Sequence, residues 1–183
     1  MLIGTPRTRL VLLTEQHAED LHSYYTENSA HLAPWEPLRP DGYHRVDAWR
    51  QRGREFQQEH EIGTSLRLLA MPADRQEILG TCFFTNITRG PLQACNVGYS
   101  IAEKYGGQGL MTEIVDAAVA YVFRELDLHR IMANYVPENA RSARVLEKLG
   151  FEKEGLAKSY LKIAGSWRDM VLTAKINPSH SSE

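Results

Sequence analysis

The pattern of apolar residues over positions 97–112 predicts a strand, a loop and a helix in direct succession. Apolar and aromatic residues alternate at Val97, Tyr99 and Ile101, which is typical of a half-buried strand. Apolar residues recur at helical spacing over residues 110–126. Three glycines separate these two patterns: Gly106, Gly107 and Gly109. Because glycine lets the backbone approach a ligand and a helix N-terminus favours negative charge, this order predicts a site for phosphate.

Similar patterns predict the other elements of an α+β fold. Besides 110–126, helices are predicted at residues 14–28, 46–58 and 139–150, which makes four. Strands are predicted at residues 8–13, 65–70, 78–86, 92–101, 130–136, 158–163 and 167–175. A central, mostly antiparallel sheet fits this order, and the strand–helix–strand unit around the glycine loop gives it one parallel pair. We expect one domain over residues 1–176 and a flexible tail over 177–183.

The glycine loop does not match two common phosphate-binding motifs. A nucleotide-triphosphate loop requires Lys and then Ser or Thr after its last glycine, where this chain has Leu110 and Met111. A dinucleotide fingerprint requires a third glycine at the position of Thr112. On the loop alone, a glycine-rich turn without a ligand remains the alternative.

Composition narrows the class of protein. The chain has 183 residues, of which 43% are hydrophobic and 24% charged, as in ordinary globular domains. A net charge of −2 excludes a generally basic nucleic-acid binder, so no direct sequence-specific nucleic-acid binding is expected. No signal peptide and no membrane span of ~18 apolar residues is predicted, and the two cysteines fit a reduced interior. These features predict a cytoplasmic protein that needs no membrane and no metal.

Two motifs resemble those of the GCN5-related N-acetyltransferase (GNAT) superfamily. The loop aligns on Gly109 with its pyrophosphate loop, Gln/Arg-x-x-Gly-x-Gly/Ala, from which Gly106 and Met111 are departures. Downstream, Asn139-Ala-Arg-Ser142 followed by Leu149-Gly150-Phe151 is similar to the second motif, Asn-x-x-Ser then Leu-Gly-Phe. Further segments, such as Pro34-Trp-Glu-Pro37, are similar to the RimJ/RimL branch and most of all to its RimJ-type ribosomal-protein-alanine N-acetyltransferases, over roughly residues 7–174.

The resemblance implies the GNAT fold, in which the parallel strands splay apart, and acetyl-CoA as cosubstrate. It implies direct attack in a ternary complex by the N-terminal alanine of a small-subunit ribosomal protein, with a transient contact to the ribosome or its precursor. The residues implied in cofactor binding are Tyr99, Ser100, Ile101, Gly106, Gly107, Gln108, Gly109, Leu110, Met111, Asn139 and Ser142.

Acetyl transfer to an amine requires a donor to the acetyl oxygen, a neutral amine and a proton for the leaving thiolate. An α-amino group has a pKa of ~7.7–8.0, so a weak base suffices. Glu103 is the predicted base, acting through water, although it also fits a solvated turn acid. Ser142 is predicted to serve the thiolate, and Tyr135, near the splay, is the third catalytic candidate. Asn139 fits both a coenzyme contact and a helix cap.

The predicted acceptor groove lies between the loop at Trp35 and Glu36 and the last hairpin at Tyr160 and Trp167. Aromatic side chains supply rigid contact area, and Glu36 is suited to attract a basic ribosomal segment. The alternative for Trp35 is an anchor that packs the loop onto the core. Two other functions remain open: an acetyltransferase for a small amine, antibiotic or toxin, and a non-catalytic acetyl-CoA-binding module on the ribosome.

Overall fold

An eight-stranded mixed sheet organises the computed structural model, which describes residues 3–74 and 77–180. Its strands are β1 Ile3–Gly4, β2 Thr8–Leu12, β3 Leu66–Pro72, β4 Gly80–Thr88, β5 Ala94–Ile101, β6 Arg130–Tyr135, β7 Glu152–Ile163 and β8 Ser166–Ile176. The order across the sheet is β1-β2-β3-β4-β5-β6-β8-β7, and every neighbouring pair except β5 and β6 is antiparallel. The predicted α+β class with one parallel pair is therefore confirmed.

Five α-helices accompany the sheet in the part of the chain that the structure describes. They are α1 Ala18–Glu27, α2 Ser29–Leu32, α3 Val46–Glu61, α4 Leu110–Glu125 and α5 Ala140–Lys148. The apolar side chains of α4, such as Ile114, Ala118 and Val122, are fully buried in the larger core cluster, which includes residues of β2 to β6. Helices α1 and α3 form a second cluster through Leu21 and Trp49. Each large apolar side chain buried in this way contributes about 1.5–3 kcal/mol.

The parallel strands β5 and β6 are paired over only about half of their length and then splay apart. Their pairing runs from Ala94 opposite Arg130 to Asn96 opposite Met132 and then stops, although β5 continues to Ile101. Among the described strands, the second half of β5 therefore keeps β4 as its neighbour on one side and has none on the other. This confirms the predicted splay, and it leaves a strand edge open to an extended ligand.

Two terminal regions differ from the sequence prediction. The first helix was expected from residue 14, but residues 15–17 form a 3₁₀ turn and α1 begins at Ala18. A flexible tail was expected from Asn177, but its side chain is buried and donates a hydrogen bond to the Leu128 carbonyl at 3.0 Å. His180 closes a further short turn against Asp127 at 2.8 Å, so the packed chain extends to that residue. Residues 181–183 lie outside the described residues.

None of the helices in residues 3–74 and 77–180 is both long and apolar enough to cross a bilayer. The same residues contain no group of three or more His, Cys, Asp or Glu side chains arranged to hold a metal ion.

Candidate active site

A cleft of about 880 Å³ opens beside the splayed half of β5. Its walls come from the end of β5, the glycine loop, the start of α4, the helix α5 and the loop after α2. It brings together most of the residues predicted from the sequence: Trp35, Glu36, Tyr99, Ser100, Ile101, Glu103, Gly106, Gly107, Gly109, Leu110, Met111, Asn139 and Ser142. A smaller pocket of about 160 Å³ continues from Trp35 and Tyr99 to Tyr135, between the parted strands.

The glycine loop has the backbone of an anion cradle. Gly107 and Gly109 have φ angles of 77° and 75°, a region that favours glycine. Apart from Gly107 and its two chain neighbours, no heavy atom of the described residues lies within 4 Å of the place where a Cβ of Gly107 would stand, so the backbone there is accessible. Gly109 is also the N-cap of α4, which directs the positive end of a 16-residue helix into the cleft.

An ion-pair cluster behind the loop holds it in place. Arg7, just before β2, donates from Nε to Glu113 Oε2 at 2.6 Å and from NH1 to the Gln108 carbonyl at 3.0 Å. The hydroxyl of Thr5 and the backbone N–H of Arg7 donate to Glu113 Oε1 at 2.7 and 3.0 Å. These hydrogen bonds lower the pKa of Glu113 against the effect of burial. We call Thr5, Arg7 and Glu113 the latch.

Three cations on α5 face the same cleft. Arg141, Arg144 and Lys148 lie three and four residues apart, so they share one side of the helix, and all three line the cleft. Within residues 3–74 and 77–180, none of the three is paired with an acid. Unpaired cations next to an open glycine loop favour a ligand with several phosphate groups.

A pair of hydroxyl groups stands where the strands part. Tyr99 OH lies 2.9 Å from Ser142 Oγ and donates to the Ser142 carbonyl at 3.3 Å. Asn139 caps α5, because its Oδ1 accepts from the Ser142 backbone N–H at 3.0 Å. Of the two roles that the sequence allows for Asn139, the helix cap is therefore present. Burial raises the pKa of Tyr99, which keeps its phenol protonated at neutral pH. Tyr99 has a single hydroxyl proton, which is donated either to the Ser142 carbonyl or to Ser142 Oγ; in the second arrangement Ser142 can donate its own proton into the cleft.

The Ser100 side chain is engaged in structural hydrogen bonds. Its Oγ lies 2.8 Å from Tyr24 OH and 2.8 Å from Thr81 Oγ1, so it joins α1 and β4 through one hydroxyl. Tyr24 and Thr81 are both buried. Ser100 therefore fixes α1 over β5. Because its hydroxyl is engaged in this way, any contact of Ser100 with the coenzyme has to be made by its backbone.

The loop after α2 forms the opposite wall. Trp35 is 39% exposed and lines both the cleft and the smaller pocket. The Glu36 carbonyl accepts a hydrogen bond at 2.8 Å from the backbone N–H of Ala164, in the turn between β7 and β8. Burial raises the pKa of the Glu36 carboxyl, and Arg39 opposes that shift.

The order of these parts is that of a known family. A family model described as an acetyltransferase (GNAT) domain matches residues 7–152, which is most of the chain. The chain belongs to the GNAT acetyltransferase family. It is 44% identical over 176 residues, 96% of this chain and 91% of the relative, to the [ribosomal protein uS5]-alanine N-acetyltransferase of Escherichia coli (strain K12).

Solved structures agree with this GNAT assignment. The ribosomal-protein-S5-alanine acetyltransferase of Vibrio fischeri superposes with a TM-score of 0.93 at 37% identity, covering 98% of both chains. The Mycobacterium smegmatis RimJ, solved in complex with CoA-disulfide, superposes with a TM-score of 0.89 at 28% identity, covering 98% of this chain and 90% of that one. The predicted GNAT fold and acetyltransferase class are confirmed.

As a GNAT acetyltransferase, the enzyme uses acetyl-CoA, and the cleft fits that molecule. The glycine loop has a backbone suited to its pyrophosphate, the cations of α5 suit its phosphate groups, and the open edge of β5 is suited to its pantetheine arm. The bound thioester supplies the acetyl group and the leaving sulfur.

Four of the predicted site residues stand outside the main cleft, and one of them, Tyr135, lines the smaller pocket instead. Gln108 does not line it, because its side chain donates to the Lys104 carbonyl at 3.0 Å and its own carbonyl accepts from Arg7. Tyr160 and Trp167 are 48% and 63% exposed on the last hairpin and line neither pocket. The roles predicted for these residues, and for Tyr135 in the smaller pocket, stay predictions.

The latch and the α5 cations were not predicted from the sequence. The Arg7–Glu113 contact of the latch joins positions that are 106 residues apart, so no local sequence pattern predicts it. The cations had a local signal, because basic residues at 141, 144 and 148 follow the Asn-x-x-Ser motif on one side of an amphipathic helix.

Proposed function

We propose that this GNAT enzyme acetylates the α-amino group of an N-terminal alanine on a small-subunit ribosomal protein. The observation that carries the proposal is the 44% identity to the Escherichia coli enzyme over 96% of this chain. That similarity spans the acceptor-side loop at Trp35 as well as the coenzyme half, so it concerns the groove that selects the amine. We place the reaction in the cytoplasm, with a transient contact to the ribosome or its precursor and no direct reading of nucleic-acid sequence.

The geometry supports direct attack in a ternary complex. The coenzyme side and the acceptor-side loop are opposite walls of one cleft, and Trp35 extends from that cleft into the pocket where the strands part. The amine nitrogen forms its bond to the acetyl carbon while the carbon–sulfur bond breaks. In this proposal a backbone N–H of the open edge around Tyr99–Ile101 donates to the acetyl oxygen and Ser142 donates a proton to the sulfur, and the open strand edge and the Tyr99–Ser142 contact support these roles.

Mass spectrometry tests the proposal. The enzyme is incubated with acetyl-CoA and an Ala-starting peptide from the N-terminus of ribosomal protein uS5, with the same peptide blocked at its amino group as control. We expect one acetyl group on the free α-amine and none on the blocked peptide. Spermidine and free amino acids run in parallel, and preferential acetylation of one of these would overturn the proposal. Tight acetyl-CoA binding without any acetylation would favour the non-catalytic module instead.

A further inference from the structure

Three acids line the cleft, and their surroundings differ. Glu138 is paired with Arg168 at 2.9 Å between Oε1 and NH2. Glu103 is exposed on a short turn, and its carbonyl accepts from the Gly106 N–H at 3.0 Å, which places it at the phosphate end of the cleft. Glu36 is half-buried, and within the described residues its carboxylate has neither a hydrogen bond nor an ion pair.

The main chain of Glu36 is held from two sides. The hydrogen bond from Ala164 ties it to the turn between β7 and β8, and its neighbour Trp35 reaches the pocket where β5 and β6 part. The titratable and charged groups that act on its carboxyl are Tyr24 and Tyr25 of α1 and Arg39 of its own loop. Both tyrosines are buried and neutral, because burial raises the pKa of each phenol. The hairpin contributes only a backbone N–H in this contact.

We propose that Glu36 is the catalytic base that takes a proton from the α-ammonium group of the acceptor. The inference deepens the proposed function, on which it rests. One N–H bond of the ammonium group breaks, its electron pair stays on nitrogen, and the proton moves to the carboxylate. Nitrogen then forms the bond to the acetyl carbon and the carbon–sulfur bond breaks. Ser142 donates its proton to the sulfur, the second proton that leaves nitrogen replaces it on the Ser142 hydroxyl, and Glu36 releases its own proton to water.

Two physical arguments favour Glu36 over Glu103. A half-buried carboxylate without a partner is poorly solvated, so an incoming ammonium group supplies the missing hydrogen bonds and charge. Burial also raises the pKa of Glu36 towards that of an α-amino group, which makes proton transfer less uphill. Glu103 stands beside the glycine loop that receives the pyrophosphate, where its charge faces other negative charge.

The test compares three isosteric variants over pH: Glu36→Gln, Glu103→Gln and Glu138→Gln. The wild-type enzyme is first assayed on the Ala-starting peptide and on spermidine, and the series is then run on whichever amine is acetylated. Failure of the proposed function therefore appears in the wild type, before any variant is compared. Calorimetry of acetyl-CoA binding confirms that each variant is folded.

We expect Glu36→Gln to lower kcat/KM about 100-fold near pH 7, within the usual range for a lost general base. Its residual kcat/KM should rise about tenfold per pH unit up to the amine's pKa of ~8, because the variant depends on amine that is already neutral. The wild-type profile should stay nearly level there, and Glu36→Asp should recover part of the activity. The ion-paired Glu138→Gln control should keep the wild-type profile.

A Glu36→Gln variant with the wild-type slope overturns the inference, even if activity falls by a constant factor, since that would be structural damage. The steep slope appearing in Glu103→Gln, and absent from Glu36→Gln, would assign the base to Glu103 instead.

Discussion

Loss of the latch should weaken coenzyme binding although none of its members belongs to the predicted site. The perturbation is Glu113→Gln, which keeps the side-chain shape and removes the charge. Glu113 accepts from Thr5 Oγ1 at 2.7 Å, from the Arg7 N–H at 3.0 Å and from Arg7 Nε at 2.6 Å. Arg7 in turn holds the Gln108 carbonyl, so the loop conformation depends on where this guanidinium stands.

The size of the expected loss in acetyl-CoA affinity can be worked out from the burial of the two side chains. A hydrogen bond to a charged group contributes about 1.5–3 kcal/mol when it is shielded from water. The Glu113 side chain is 17% exposed but that of Arg7 is 47% exposed, so screening reduces the whole cluster to about 1–3 kcal/mol. If the glycine loop must be reordered at that cost on binding, the Kd for acetyl-CoA rises about 5- to 150-fold.

Calorimetry measures the change in acetyl-CoA affinity, and the direction of that change tests the role of the latch. If Glu113 acted only as an acid near the helix N-terminus, removing its charge would make the site more positive and would tighten binding of a polyphosphate. Tighter or unchanged binding by Glu113→Gln would therefore refute the latch. Glu125→Gln is the matched control, because Glu125 is paired with Arg124 at the far, exposed end of the same helix.

Four further outcomes are expected. Gly109→Val should abolish measurable acetyl-CoA binding by calorimetry in a folded protein, because a branched residue is strained at a φ of 75°. Ser142→Ala should lower kcat about 100-fold with little change in acetyl-CoA affinity, as steady-state kinetics and calorimetry would show. Trp35→Ala should raise the peptide's KM and leave acetyl-CoA binding intact; an equal loss of both would make Trp35 a core anchor. Burial and nearby guanidinium groups lower the pKa of His44 to about 4 from 6.5, so stability present above pH 6.5 should be lost as the pH falls towards 4. Urea unfolding at several pH values would show that loss, and His44→Gln should reduce it.

The coenzyme half of the site was predictable because it is nearly continuous in sequence. The alternation that ends at Ile101, the glycines at 106, 107 and 109 and the apolar period of α4 follow one another, and each has a local signature. The start of β7 was missed for the opposite reason. Glu152, Lys153 and Glu154 are exposed on a strand at the edge of the sheet, so they carry no apolar alternation.

Residues whose role depends on distant contacts were not predictable in the same way. Asn177 reads as part of a polar tail, yet its amide donates to the Leu128 carbonyl, which ties the chain end to the segment before β6. Asp169 likewise accepts from the Ser159 N–H at 2.9 Å, where β7 departs from regular pairing and the φ of Ser159 is 46°. Tertiary hydrogen bonds of this kind satisfy backbone groups that the local sequence leaves open.

The two walls of the cleft are built in different ways, and this has a consequence for specificity. The predicted coenzyme wall comes mainly from one stretch, β5 to α5. The predicted acceptor wall is the loop at Trp35 and Glu36, which is bonded to the turn at Ala164 and Gly165. In that turn a Cβ on Gly165 would stand 2.8 Å from Leu38 Cδ1, so loop and turn are fitted to each other. A change of length or sequence in the turn should therefore move the acceptor wall and leave the glycine loop and the Tyr99–Ser142 pair in place. On this physical ground we expect the contact between loop and turn to govern selection of the amine, and the splayed strands to govern acetyl transfer.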